Sequence, residues 1–321
     1  MPIRSFIITL ALVFLSIDFA SAQTCCSGGV PLSANIGLPA SDKGNWQFSL
    51  NFDNNVLRTL KTGNETLNDR LRERVTNSVL LETGYGLTDK LSLDVFISLV
   101  EQQRTIFTAF GNNQTVTRGL GDAVILLKYN LLSKSTFSNW QVGIGPKLPT
   151  GSTDKRSTNG LALPADLQPG SGSWDLVLWS NYIFSLATRP TTSLFITSAL
   201  RATGANNDYL GSIRYEFGNE FQLIAGITDR HTLFSSLLID TSLSFRYRLA
   251  TRDTNNGTEI EATGGEWLFI TPQVSTILST KLSANISLEL PLMSFVNNTQ
   301  LTPTNRITLG VFFKLNKSTN L

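Results

Sequence analysis

The sequence predicts an all-β protein, a transmembrane antiparallel up-and-down β-barrel of about twelve strands. Three observations predict it. Segments of about ten to eighteen residues alternate apolar and polar positions, the period of a strand. Their length suits a tilted membrane strand, which needs ~9–11 residues, better than a soluble strand of ~5–6. Short and long connections alternate down the chain, as periplasmic turns and outer loops do in such barrels.

The chain begins with an export signature. Residues 1–22 carry Arg4, the apolar run "FIITLALVFLSI" and the small-x-small site "ASA" at 20–22, so they read as a signal peptide cleaved near Ala22. No later stretch approaches the ~20 apolar residues of a spanning helix. The predicted domains are the signal peptide 1–22, a periplasmic tail or lumen plug 23–43, the barrel 44–316 and a C-terminal tail 317–321. The expected location is the bacterial outer membrane, with outer-membrane lipid as the surrounding partner.

Twelve segments carry the strand pattern, roughly 44–53, 72–87, 90–103, 118–131, 138–149, 172–187, 190–203, 208–227, 231–249, 264–278, 281–293 and 303–315. In "TLFSSLLIDTSLSFRYRLA", Leu237, Ile239, Leu243, Phe245 and Tyr247 share one face, and Asp240, Ser242, Ser244, Arg246 and Arg248 the other. In "DYLGSIRYEFGNEFQLIAGIT", Tyr209, Ile213, Tyr215, Phe217, Phe221, Leu223 and Ile227 oppose Arg214, Glu216, Glu220 and Gln222. Turns such as "LTDK", "ATRP" and "TDRH" are short. Long polar connections include "DNNVLRTLKTGNETLNDR", "GSTDKRSTNGLALPADLQPGSG" and "TRDTNNGTEIEATGG". Closure into a barrel follows from the bilayer, which offers no water to an open sheet edge. Aromatics should gather at the two interfaces: Trp46, Tyr85, Tyr129, Trp140 and Phe313 at periplasmic strand ends, Trp174, Tyr209, Tyr247 and Trp267 at outer ends. The soluble rival is a secreted β-sandwich binding carbohydrate, which would alternate as well.

The lumen face carries charges of both signs: Glu82, Asp94, Lys128, Lys147, Asp175, Arg201, Arg214, Glu216, Glu220, Asp240, Arg246, Arg248, Glu289 and Lys314. An ion-selective pore tends to show a ring of one sign. The mixture points to a salt-bridged wall, or to a narrow path for neutral or amphipathic solutes. Net charge is +2 with 16% charged residues and no basic block, so nucleic acid is not an expected partner.

No enzyme, cofactor or metal is expected. The single histidine, His231, sits in a predicted periplasmic turn beside Asp229 and Arg230, with Ser235 and Ser236 following. A hydrolytic site at the outer side would need a base that it cannot supply. The two cysteines, Cys25 and Cys26, are adjacent in the tail. The residues before Cys25 fit a lipidation signal poorly, and no ligand set for a metal lies nearby in sequence. Export favours oxidation, but a bridge between neighbours closes a strained ring. The tail either folds against the lumen with these cysteines fixing a turn, or hangs loose in the periplasm.

The stretches "CCSGGVPLSANIGLPA", "GNWQFSLNF", "GYGLTDKLSLDVFI", "RGLGDAVILLKYNLL" and "VGIGPKLPTG" resemble the MetA-pathway phenol-degradation transporters of the outer membrane, and the cysteine-bearing start is similar to Bacteroidetes-type members. The resemblance implies passage of small, hydrophobic or aromatic molecules. "TLGVFF" at 308–313 resembles the C-terminal signal read by the barrel-assembly machinery, an implied partner, although the chain runs on through "NKSTNL". The expected function is a channel or transporter for small-molecule solutes. A non-conducting structural or ligand-binding barrel is the alternative.

Overall fold

Strand after strand pairs with its neighbour in sequence, and the last returns to the first. The computed structural model describes residues 43–109, 111–132, 137–233 and 237–315. The signal peptide, the tail with Cys25 and Cys26, Ser235, Ser236 and residues 316–321 lie outside the described residues.

The strands are β1 (Trp46–Gly63), β2 (Glu65–Leu67), β3 (Arg72–Gly86), β4 (Leu91–Thr108), β5 (Gly111–Leu120), β6 (Ala123–Asn130), β7 (Ser138–Leu148), β8 (Asp175–Leu186) and β9 (Arg189–Ala202). They continue as β10 (Ala205–Tyr209), β11 (Ile213–Glu216), β12 (Glu220–Leu233), β13 (Leu237–Ala250), β14 (Thr254–Asn255), β15 (Thr258–Glu259), β16 (Gly265–Ile277) and β17 (Leu282–Leu315). A 3-10 turn, Ala165–Leu167, lies between β7 and β8.

Eleven of these strands form the ring β1-β3-β4-β6-β7-β8-β9-β12-β13-β16-β17, which β17 closes onto β1; β2 and β5 pair beside it. Every neighbouring pair is antiparallel. An odd ring of straight strands cannot satisfy that. The resolution is β17, whose 34 residues are far too long for one crossing. Its first limb pairs with β16 through Ser283–Val296 and its second with β1 through Val296–Leu315. The Lys314 N–H donates to the Lys281 carbonyl at 2.8 Å, so the two limbs lie side by side. The chain turns at Asn298, whose φ is +52°. Counted by limbs, the barrel has twelve strands, as the sequence pattern predicts.

The two faces follow the alternation. Leu50, Phe52, Leu99, Ile144, Ile196, Phe245, Ile286, Leu309 and Val311 point outward and are exposed. Gln47, Ser49, Asn51, Asp53, Ser92, Ser98, Gln141, Gln222 and Ser287 point inward and are buried. A water-soluble β-sandwich puts its apolar face inside; here the apolar face is the outer one, as a bilayer requires. Trp46, Tyr129, Trp140 and Phe313 are exposed near the short-turn end, and the Trp46 and Tyr85 rings lie 4.6 Å apart.

Several boundaries differ from expectation: the predicted turn "TDRH" at 228–231 is paired strand inside β12, and β4 and β5 extend to Thr108 and Gly111. The segment expected to end at residue 53 runs as strand to Gly63, so most of the predicted first long loop is paired backbone. Polar residues there signal height above the bilayer, not the end of pairing. The predicted strand 208–227 is three pieces: β10, β11 and β14–β15 build a separate four-stranded sheet, and the barrel resumes at Glu220. Gly218 permits the close approach at the break, because a Cβ there would lie 1.9 Å from the Thr251 carbonyl oxygen.

Candidate functional site: the inner wall and its infolded loop

The alternation that turns apolar residues to lipid delivers charged ones to the interior at neighbouring register positions. Ten of the sequence-predicted positions meet there: Glu82, Asp94, Lys128, Lys147, Asp175, Arg201, Glu220, Arg246, Arg248 and Glu289 are all buried. They form chains of ion pairs. Lys147 reaches Asp122 at 2.8 Å and Asp175 at 3.1 Å. Arg201 pairs with Glu220 at 3.2 Å, and Arg248 grips the same carboxylate with two nitrogens, at 2.9 and 3.2 Å. Arg246 holds Glu289 in a fork at 2.7 and 2.5 Å, and Arg306 links Glu289 (3.6 Å) to Asp53 (3.1 Å). Lys128 pairs with Asp94 and sits 3.7 Å from Glu82. Bidentate arginine contacts fix geometry as well as charge.

Of the other four, two leave the barrel wall and two keep the inward parity at its short-turn rim. Arg214 and Glu216 are not in the lumen: they pair with each other at 3.0 Å on the separate outer sheet, where Arg214 is half exposed. Asp240 is near the short-turn end, held by a fork from Arg230, and partly exposed. Lys314 is half-buried at the same end. The expected aromatic girdle is also corrected. Trp267 is fully buried under Arg248, whose guanidinium carbon lies 4.7 Å from the ring centre. Tyr209 is buried in the outer sheet. Trp174 does lie exposed at the outer end.

Beside the charges lies an apolar wall. Leu80, Phe96, Val124, Leu126, Val177, Trp179 and Ala199 form one cluster on the inward face of β3, β4, β6, β8 and β9. Lys128 Nζ stands 4.6 Å from the Trp179 ring centre and 5.9 Å from that of Phe96. Arg246 covers Phe269 at 4.3 Å. The cations are therefore held against aromatic faces as well as carboxylates.

The loop between β7 and β8 folds inward at the outer end. Asp122 is its staple. It sits at the step from β5 to β6, and its carboxylate accepts from the Gly151 N–H (3.0 Å), the Ser171 N–H (2.9 Å) and the Ser171 hydroxyl (2.6 Å), besides Lys147. The two ends of the loop nearly touch: a Cβ on Gly170 would fall 2.5 Å from the Gly151 Cα. At the tip, Asp166 accepts from Arg74 at 2.9 Å, and the Thr117 hydroxyl donates to the Leu167 carbonyl at 2.8 Å. Leu163, Ala165, Asp166, Leu167 and Gln168 are buried.

Above the tip sits the outer sheet. Tyr209, Tyr215 and Phe217 pack with Ala165, and the Tyr209 hydroxyl donates to the Leu163 carbonyl at 3.1 Å. Burial, with the Asp166 charge nearby, pushes the Tyr209 hydroxyl up to about 12. Burial also lifts Tyr215 far above the usual tyrosine range, helped by Asp253. Asp253 is itself raised by burial, although it accepts from the Tyr215 hydroxyl (2.6 Å) and the Gly218 N–H (2.8 Å).

Sequence reasoning missed Asp53, Arg74, Asp122, Asp166 and Arg306. Strand parity could have found three of them, since Asp53, Arg74 and Arg306 share the inward face of their strands. Asp122 and Asp166 lie at a strand step and in a loop, where alternation carries no signal. His231 lies at the short-turn end, 3.4 Å from Asp229 and 3.2 Å from the Thr241 hydroxyl. Among the described residues no cluster of side chains has the makings of a metal site.

The COG4313 outer membrane channel from Pseudomonas putida F1 superposes with a TM-score of 0.65 at 17% identity, covering 87% of this chain and 97% of that one. The fold is that of an outer-membrane β-barrel. More distant likenesses are the beta domain of the Bordetella autotransporter BrkA (TM-score 0.49, 9% identity, 86% and 100% covered) and the NanC porin (0.43, 10%, 84% and 100%). No protein-family model and no curated protein matches the sequence.

Proposed function

We propose that the protein is an outer-membrane channel for small hydrophobic or aromatic solutes. The observation that carries this reading is the apolar inner wall of Leu80, Phe96, Val124, Leu126, Val177 and Trp179, set against buried and internally paired charges. A lumen for salts or sugars would be expected to keep its charges free for the solute. Here the charges are paired with one another, and the inward side chains beside them are apolar and aromatic and packed together, so a solute that crosses must part this cluster. The channel of the same fold supports passage in general, and the sequence resemblance to phenol-degradation transporters supports hydrophobic or aromatic solutes. The infolded loop 149–174 narrows the outer entrance.

The test combines two measurements on refolded, signal-free protein. Steady conductance steps in a planar bilayer establish an open path. Entry of an aromatic solute into proteoliposomes, faster than a sugar of equal size, establishes selectivity. Replacing Trp179 by Ala should slow the aromatic solute several-fold and leave the sugar unchanged. Silence in the bilayer, together with no solute entry by folded protein, would favour the non-conducting barrel.

A further inference from the structure

The lipid-facing wall is mostly apolar, and its polar exceptions include one continuous row. Asn54 on β1, Asn77 on β3, Glu101 on β4 and Arg118 on β5 are register partners in sequence across four strands. Their neighbours in each strand place them outward: Asp53, Ser78, Gln102 and Thr117 are the buried, inward ones. On the β17 side the row stops at Ile307, the partner of Asn54. The Asn54 amide donates to the Asn77 side-chain oxygen at 2.7 Å, and Arg118 pairs with Glu101 through its Nε.

Height explains why these groups are tolerated. Asn54 stands eight residues along β1 from Trp46 in the lower aromatic girdle. At ~3.3 Å per residue and a tilt of about 40°, that is about 20 Å, near the top of an apolar band of ~25 Å. A charge on the lipid face is costly at mid-bilayer and nearly free at the interface. The row therefore lies where the outer-leaflet hydrocarbon meets its headgroups.

A groove of about 440 Å³ runs along this wall. Phe52, Val79 and Leu99 form its lower part, while Asn77, Glu101 and Arg118 form its rim. Phe52 and Leu99 are exposed to lipid. The Arg118 side chain is 75% exposed, and its contact with Glu101 occupies one nitrogen of a guanidinium that has five N–H donors. Glu101 thus holds the cation at the rim without using it up. An apolar floor under a fixed, exposed guanidinium matches one occupant: an acyl chain below and a phosphate above.

We propose that this groove is a binding site for a phosphorylated glycolipid of the outer leaflet, of the lipid A type. The acyl chain lies against Phe52, Val79 and Leu99. The phosphate is gripped by Arg118, with Asn54 and Asn77 offering amides to the sugar. The site is on the outside of the barrel and does not depend on what passes through the lumen.

The test is native mass spectrometry of the purified protein in detergent, titrated with diphosphorylated lipid A and, separately, with the same lipid stripped of phosphate. The expected result is one tightly held diphosphorylated lipid, with occupancy falling about tenfold for the stripped lipid and about tenfold in Arg118→Gln, the loss of one strong contact. Arg252→Gln, in the outer loop where Arg252 pairs with Glu259, should bind like the parent. Retention of heat-dependent gel migration by each variant certifies folding, and Glu101→Gln serves as a second rim variant that keeps the cation. Equal binding of the stripped lipid, unchanged binding by Arg118→Gln, or a protein dimer seated there instead of lipid would overturn the proposal.

Discussion

Arg246 and Glu289 are each about 95% buried and joined by two nitrogen–oxygen contacts. Removing one partner of such a pair leaves a charge without its counter-ion in a poorly hydrated interior, which costs about 3–5 kcal/mol. Glu289→Ala should therefore lower stability by roughly that amount in urea-induced unfolding from liposomes, whereas Arg246→Met with Glu289→Met should recover most of it. The outer sheet gives a prediction in pH. Burial raises the Asp253 carboxyl above its usual range, so the folded sheet binds the proton more tightly than the unfolded chain. The stabilisation is complete below the ordinary carboxylate range and is lost as pH rises through the raised value. Hydrogen exchange at Thr254–Glu259, corrected for the intrinsic rate, should be slower relative to that rate at pH 4 than at pH 7, and Asp253→Asn should flatten the difference. No change in the parent protein between the two would refute this. Of these residues, Arg246 and Glu289 were visible in strand parity. Asp253 was not, because it lies in a loop whose burial depends on a sheet assembled from distant segments.

At the scale of the element, the loop between β7 and β8 is the feature that shapes the outer entrance. Its buried Leu163, Ala165 and Leu167 pack at the tip, and polar contacts fix it at both ends: the Asp122 staple at its base and the Arg74–Asp166 pair at its tip. Such contacts contribute about 1.5–3 kcal/mol each when charged groups take part. Asp122→Ala removes three of them together and leaves Lys147 with Asp175. The loop should then spend time outside the lumen. Channel conductance should rise at least twofold, and trypsin should cut at Lys155 or Arg156 faster than in the parent. Identical conductance and cleavage would show that the loop is held by something other than this staple. In the sequence the segment reads only as a long polar connection. Its Gly151 and Gly170 look like ordinary loop glycines until their backbones are seen to meet.

For the whole molecule the decisive feature is closure. Every pairing is antiparallel and β17 doubles back, so the ring is even and has no free edge. Leu50 and Val311 are opposite each other across the seam where β17 meets β1. With Cys25 and Cys26 both changed to Ser, the pair Leu50→Cys and Val311→Cys should cross-link on mild oxidation and bind the two ends of the chain in one covalent loop. The product should migrate faster than the reduced form on a denaturing gel. If the pair did not react while the protein kept its heat-shifted migration, the seam would be wrong.

Strand parity and strand length fixed which residues face lipid and which face inward, because a bilayer tolerates no open edge and a two-residue period leaves no third choice. That is why ten of fourteen predicted lumen charges are found buried inside. Arg214 and Glu216 alternate as well as any barrel strand, yet they belong to the outer sheet. At the break, Gly218 permits close approach to the Thr251 carbonyl, a contact made by a segment 33 residues away. The partners of each charge, the inward path of the loop and the polar row on the outer wall were likewise decided only by the closed barrel. Register between strands sets who meets whom, and register is a property of the assembled sheet.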